Sequence, residues 1–190
     1  LGSYYSDIIQ SLRSCEPSSI GMFPHDPKLP VITGWDLGIA DSTAIWFAQP
    51  EIGSIRIIDY MEDCNVPLSE WIRRVQEKKY NYVEHLAPQD LQLREYTTGK
   101  TRLESAQELG MDFTVVPKLP LADGINEVRA TLPTCRFDEV HCKDGLESLS
   151  AYERVFDDKR RTFRDQALHN WASHGADAFR TLVMGWQTYE

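Results

Sequence analysis

The chain has 190 residues, of which 42% are hydrophobic and 26% charged, ordinary proportions for one globular domain with a full core. Its formal net charge of −9 argues against a simple nucleic-acid-coating protein, whose affinity would come from Lys and Arg, and leaves a site built of carboxylates open. No apolar run approaches the roughly 20 residues of a membrane span, no signal peptide opens the chain, and the four cysteines form no C-x-x-C pair, so scattered reduced thiols are expected and no structural zinc.

Tyr4–Arg13 reads as a short helix and Glu16–Pro30 as a Pro-rich connection from a preceding domain, which sets residues 1–30 apart from a domain over 31–190. Val31–Trp35 is an apolar run ending at Asp36, expected as a buried strand leading into a turn. Thr43–Ala48 and Ser54–Tyr60, rich in β-branched and aromatic residues, make two more strands, and the short links between the three imply an antiparallel meander. Pro67 suits the first turn of a helix striped by Leu68, Trp71, Ile72 and Val75, with Glu70 placed to pair with Arg73 or Arg74. Tyr82–Leu86 follows as a strand; after a helical crossover it should lie parallel to the first strand, which puts Asp90 just beyond its carboxyl end.

Thr101–Glu104 has the pattern of a capping box, and Gly110 supplies the stop of its helix. Phe113–Val116 is a fifth strand and Ala122–Leu132 a further helix. Arg136–Val140 reads as a short edge strand, and Asp144 as the cap of a helix carrying Leu146, Leu149 and Phe156. Arg154–Arg164 suits a hairpin turning at Asp157–Lys159. The last helix spans about Asn170–Trp186, burying Ala172, Ala176, Phe179, Leu182, Val183 and Trp186. The fold class expected from this order is α/β: a ribonuclease H-like mixed five-stranded sheet, three antiparallel strands and then two parallel additions, with helices on both faces.

Three aspartates carry the chemistry. Adjacent parallel strands place Asp36 and Asp90 at one sheet edge, and a helix packed near that edge can add Asp177, whose neighbours Ala176, Ala178 and Phe179 suggest partial burial. Hard oxygen ligands from separate elements suit Mg²⁺ or Mn²⁺, and two such ions can promote phosphodiester hydrolysis. Two of these positions also have a plainer reading, as a turn residue for Asp36 and a helix cap for Asp90, whereas Asp177 on an otherwise apolar helix is harder to explain so. His174, three residues before Asp177 on the same helix face, is open as a ligand or as a structural histidine, and Asp41 as a further ligand or as a turn cap through Ser42. Lys159, Arg160 and Arg161 form the clearest basic cluster, and Lys100 and Arg102 a second; each can meet a DNA backbone or can be solvated surface. Thr98-Gly99-Lys100 lacks the glycine five residues before Gly99 that a phosphate-binding loop requires, that position being Arg94.

WDLGIADSTA, HLAPQD followed by TTGKTRLESAQELG, and NWASHGADAFR resemble the nuclease domain of tailed-bacteriophage terminase large subunits, over about residues 31–184. The resemblance implies a ribonuclease H-like fold and metal-dependent endonucleolytic cutting of concatemeric viral double-stranded DNA during packaging, with the catalytic acids falling on Asp36, Asp90 and Asp177. It also implies an ATPase domain, a small terminase subunit and a portal protein as partners, in the host cytoplasm, with no membrane and a monomeric isolated domain. Gln89 stands where many relatives have a histidine, and Asn170 where an aspartate is common; neither change removes an acid of the triad. A junction resolvase of the same fold, and a non-catalytic docking module of the packaging motor, are the alternatives.

Overall fold

The computed structural model describes residues 2–38 and 41–189. Its strands are β1 (Ile20–Gly21), β2 (Val31–Asp36), β3 (Ser42–Glu51), β4 (Ser54–Cys64), β5 (Tyr82–Ala87), β6 (Phe113–Val115), β7 (Cys135–Asp138), β8 (Arg154–Asp157) and β9 (Thr162–Ala167). Its α-helices are α1 (Ser6–Ser14), α2 (Leu68–Glu77), α3 (Arg102–Glu108), α4 (Leu121–Thr131), α5 (Lys143–Ala151) and α6 (Trp171–Tyr189). Seven strands form one mixed sheet in the order β1-β7-β4-β3-β2-β5-β6, and β8 pairs with β9 in a separate hairpin.

The meander β2-β3-β4 is antiparallel, and β5 and β6 add to it in parallel on the β2 side, as the element order predicts. The sheet is wider than the expected five strands because β7 is not an edge strand. It lies between β4 and β1, parallel to both. The strand β1, two residues inside the Pro-rich stretch, is too short to leave a period-2 pattern in the sequence. It is held by the Phe137 amide donating to the Ser19 carbonyl and the Glu139 amide donating to Gly21. Residues of the first thirty therefore share this core: Tyr5, Ile9, Leu12 and Ile20 are buried with it.

Alternation along the strands divides the interior. Ala44, Trp46 and Ala48 of β3 face a large cluster with α1, α4, α5 and α6, whereas Ile45 and Phe47 face a smaller one with α2 and α3. Pairing follows the spacing in α2, where Glu70 contacts Arg73 at 2.8 Å and Arg74 at 3.2 Å. The capping box at Thr101 and Glu104 closes reciprocally. Two local expectations fail. Asp144 lies inside the first turn of α5 with Cys142 at the N-cap, and Phe156 is on β8, half-exposed against Phe163, because α5 ends at Ala151. The four cysteines are free thiols, Cys135 and Cys142 being buried. Among the described residues no helix is long and apolar enough to cross a membrane.

What places α6 over the sheet is the absence of side chains at the crossing. A Cβ on Gly34 of β2 would lie 2.5 Å from the Leu182 Cβ and 2.8 Å from its backbone, and one on Gly185 would lie 2.3 Å from a Leu86 methyl of β5. Nearer the start of α6, the Trp46 indole N–H donates to the Gly175 carbonyl at 2.8 Å, crossing from sheet to helix. Under the opposite face, Thr33 of β2 accepts from the Trp35 indole N–H at 2.7 Å, so its own hydroxyl proton is free for His85 Nδ1 of β5, also at 2.7 Å. Burial holds His85 down at about 4, so a neutral imidazole ties the two strands that carry the acids.

Gly34→Val should destabilise the protein by about 3 kcal/mol or more, since the atoms in the way are helix backbone and cannot turn aside; the melting temperature should fall by roughly 6–12 °C. A melting curve superimposable on the parent would show that α6 does not sit this close to β2.

Candidate metal-dependent nuclease site

Asp36 is the last residue of β2 and Asp90 lies in a 3₁₀ turn over Gln89–Gln92, started by Pro88 at the end of β5. Because β2 and β5 are parallel neighbours, with Gly34 opposite Leu86, both carboxylates arrive at the same end of the sheet. Asp177 comes from α6, five residues before Leu182, which packs on Gly34. The three acids line one open cleft of about 330 Å³, together with Lys118, Leu119 and Arg180. The sequence-derived triad is thus brought together, Asp90 exposed at the rim and the other two half-buried.

The three carboxylates of the cleft are offset in part by Lys118 and Arg180. Burial pushes Asp177 up to about 6; Arg180, 3.0 Å away and one helical turn on, pulls it back, and the neighbouring Asp36 adds to the rise. Arg180 is itself half-buried, and its aliphatic stem lies against Gly124 of α4, where a Cβ would meet it at 2.7 Å. A set of hard carboxylate oxygens with a surplus of negative charge, open to water, suits Mg²⁺ or Mn²⁺. The chemistry of the donors therefore fits the cation the sequence implies.

Asp41 and His174 sit beside this triad. His174, almost fully buried on α6, has Nδ1 3.4 Å from Asp36 Oδ2 and Nε2 3.3 Å from Asp41 Oδ1. Contact with Asp36 raises its pKa against the opposing effect of burial. Asp41 is exposed, accepts from the Ser42 amide at 3.0 Å, and is held below the usual carboxylate range first by that amide and then by His174. Its two predecessors in the WDLGIADSTA motif, Ile39 and Ala40, lie outside the described residues. The turn-cap and ligand readings of Asp41 are both compatible with this geometry.

The basic residues divide. Lys159, Arg160 and Arg161 are exposed in the turn between β8 and β9, where Asp157 accepts from the Lys159 and Arg160 amides and the Arg164 side chain. Lys100 pairs with Glu108 at 2.6 Å. The Arg102 side chain is mostly covered, 13% exposed, and donates to the Leu37 carbonyl at 3.2 Å, with Glu95 at 3.4 Å. Arg102 thus tethers the segment just after Asp36. Sequence reasoning passed over three residues at the site. Arg180 had a signal in its i,i+3 spacing from Asp177. Lys118 and His169 had none, because the loop after β6 and the approach to α6 reach the site only through the tertiary fold.

No family model matches the chain, and no curated protein is similar to it by sequence. Solved structures are similar in fold. A large terminase from a thermophilic bacteriophage superposes with a TM-score of 0.69 at 14% identity, over 96% of this chain and 44% of that one. The large terminase (g2p) nuclease domain of bacteriophage SPP1, solved with bound Mn, gives a TM-score of 0.64 at 16% identity, over 89% of this chain and 95% of that domain. The large terminase nuclease of thermophilic phage G20c, solved with bound magnesium, gives 0.63 at 12% identity, over 98% and 97%. The chain spans less than half the length of the first of these terminases and nearly all of the two nuclease domains.

In the metal-free protein Asp177 should take up its proton near pH 6, above an ordinary carboxyl, and added Mg²⁺ should move that titration lower because a cation favours the charged form. Carboxyl-carbon NMR on labelled protein reads this directly. A midpoint near 4 that ignores Mg²⁺ would place Asp177 outside the cation's reach. The chain has the ribonuclease H-like fold of phage large terminase nuclease domains.

Proposed function

We propose that this chain is the DNA-cutting part of a phage packaging terminase, a metal-dependent endonuclease acting on concatemeric double-stranded viral DNA. The observation that carries the reading is the convergence of Asp36, Asp90 and Asp177 on one cleft, each from a separate element of the fold. Support comes also from the fold neighbours, two of which were solved with Mn or magnesium bound.

In this reading Asp36, Asp90 and Asp177 hold two Mg²⁺ or Mn²⁺ ions, with Asp41 and His174 adjoining through Asp36. Bound there, divalent cations would lower the pKa of water at the phosphodiester and offset charge on the departing oxygen. The residues of the chain supply position and charge. Arg180 fixes the Asp177 carboxylate, and His174 orients Asp36 through Nδ1. Arg102 holds the Leu37 carbonyl and so the approach to the loop beyond it. Lys118 at the cleft and the exposed Lys159, Arg160 and Arg161 offer cations to the DNA backbone, with Lys100 as a further contact. The ATPase domain, small subunit and portal enter as partners through the family resemblance, as does action in the host cytoplasm.

Supercoiled plasmid should be nicked and linearised with Mn²⁺ or Mg²⁺ and left intact in EDTA. Asp36→Asn and Asp177→Asn should each lower the rate by more than about 100-fold, beyond what loss of an outer-shell partner costs. Cutting that persists in EDTA or in both variants would overturn the reading, and a strong preference for four-way junctions over linear duplex would redirect it to a resolvase.

A further inference from the structure

Large apolar side chains stand exposed around the acid cleft. Leu119 lines it. Leu93 follows the 3₁₀ turn that carries Asp90, and Tyr96, three residues further on, is fully exposed. Trp171 opens α6, six residues before Asp177, and is 58% exposed. The exposed aromatics of the β8–β9 hairpin, Phe156 and Phe163, cover one another with ring centroids 5.1 Å apart. Tyr96 and Trp171 have no ring neighbour and no side-chain hydrogen bond among the described residues. Single exposed apolar residues are ordinary; several around one charged cleft mark a surface that another molecule covers.

Local structure puts each ring at the rim. A bridge between Arg94 and Thr101 closes the loop that carries Tyr96, and the next residue, Arg102, ties its base to the Leu37 carbonyl just after Asp36. Along α6, Leu182 packs on Gly34, His174 meets Asp36 at the end of β2, and Trp171 stands one turn further out. At 1.5 Å per residue, Trp171 is about 9 Å along the helix from Asp177, roughly two to three nucleotides of a strand that advances 3.4 Å per nucleotide. Cations lie among the rings. Lys118 lines the cleft, and Arg94 donates to the Gly99 carbonyl; neither pairs with a carboxylate among the described residues. Aromatic faces interleaved with basic groups are the surface that grips a single nucleic-acid strand, the rings stacking on bases and the cations meeting phosphates. In a paired duplex the faces of the bases are covered by their neighbours, so such rings engage bases that have left the stack.

We propose that Tyr96 and Trp171 stack on unpaired bases flanking the scissile phosphate, so that the cleft takes a locally opened strand of its DNA and not an intact duplex. This rests on the nuclease reading and deepens it by naming the state of the substrate.

The test is binding to a duplex with a short unpaired bubble and to its fully paired counterpart, with Ca²⁺ in place of Mg²⁺. Trp35, Trp46, Trp71 and Trp186 are buried, so quenching by acrylamide reads Trp171. Bubble DNA should protect Trp171 from the quencher and bind at least about tenfold more tightly than paired DNA. Trp171→Ala and Tyr96→Ala should each weaken bubble binding by about 5- to 150-fold, the contribution of stacking one base, and Trp171→Phe should keep most of the affinity. Since a ring carries no charge, the salt dependence should be unchanged in these variants, whereas Lys118→Ala should flatten it. Equal affinity for the two duplexes, no protection of Trp171, or bubble binding that survives both alanine substitutions would each overturn the proposal. Protection of Trp171 by bubble DNA in a parent chain that cuts nothing with Mg²⁺ or Mn²⁺ would leave the stacking contact standing and sink the nuclease reading instead.

Discussion

Everything at the site depends on how closely α6 lies on the sheet. A helix packed on a sheet through ordinary side chains stands about 10 Å off, the spacing that separates packed layers generally. Here Gly34 and Gly185 remove the side chains at two crossings, and at each a single added carbon would collide. The Trp46–Gly175 hydrogen bond then fixes the helix along its axis. With the helix lowered and locked, a carboxylate on α6 shares a cleft with carboxylates at the ends of β2 and β5. Burial of Phe179, Leu182, Val183 and Trp186 on the same helix, each contributing about 1.5–3 kcal/mol, is the driving force that presses it down.

That closeness has an electrostatic cost. Asp177 is drawn into a half-buried position near Asp36, and its raised pKa records the strain of holding charge there. Arg180 relieves part of it. A divalent cation would relieve more, which is the physical link between a destabilised carboxylate and a metal site. The net charge of −9 is therefore uneven in its meaning: acids concentrate where a cation would sit, and the exposed Lys159–Arg161 turn stands out on the hairpin.

Much of this was legible in the residues. The strands β2 to β6 follow from apolar runs and turn residues, and α6 from its 3.6-residue stripe. Asp36 and Asp90 could be placed because strand ends after a helical crossover are predictable. Asp177 stood out as a lone acid among buried neighbours. The rest depended on contacts remote in sequence. The strand β1 is two residues long, and its pairing with β7 brings together Ile20 and Phe137, which no local pattern connects. That pairing moved β7 inward from the edge. Arg102, read from its charge as a DNA contact, is mostly covered, because the Leu37 carbonyl it meets is 65 residues earlier. His169 meets Asp41, 128 residues earlier, a contact no local pattern connects.

In the proposed function, three carboxylates from three elements hold metal in one cleft. Anomalous diffraction from crystals grown with Mn²⁺ tests it most directly. The predicted result is Mn²⁺ density in contact with carboxylate oxygens of Asp36, Asp90 and Asp177. Crystals saturated with Mn²⁺ but showing no anomalous peak among those three side chains would contradict it.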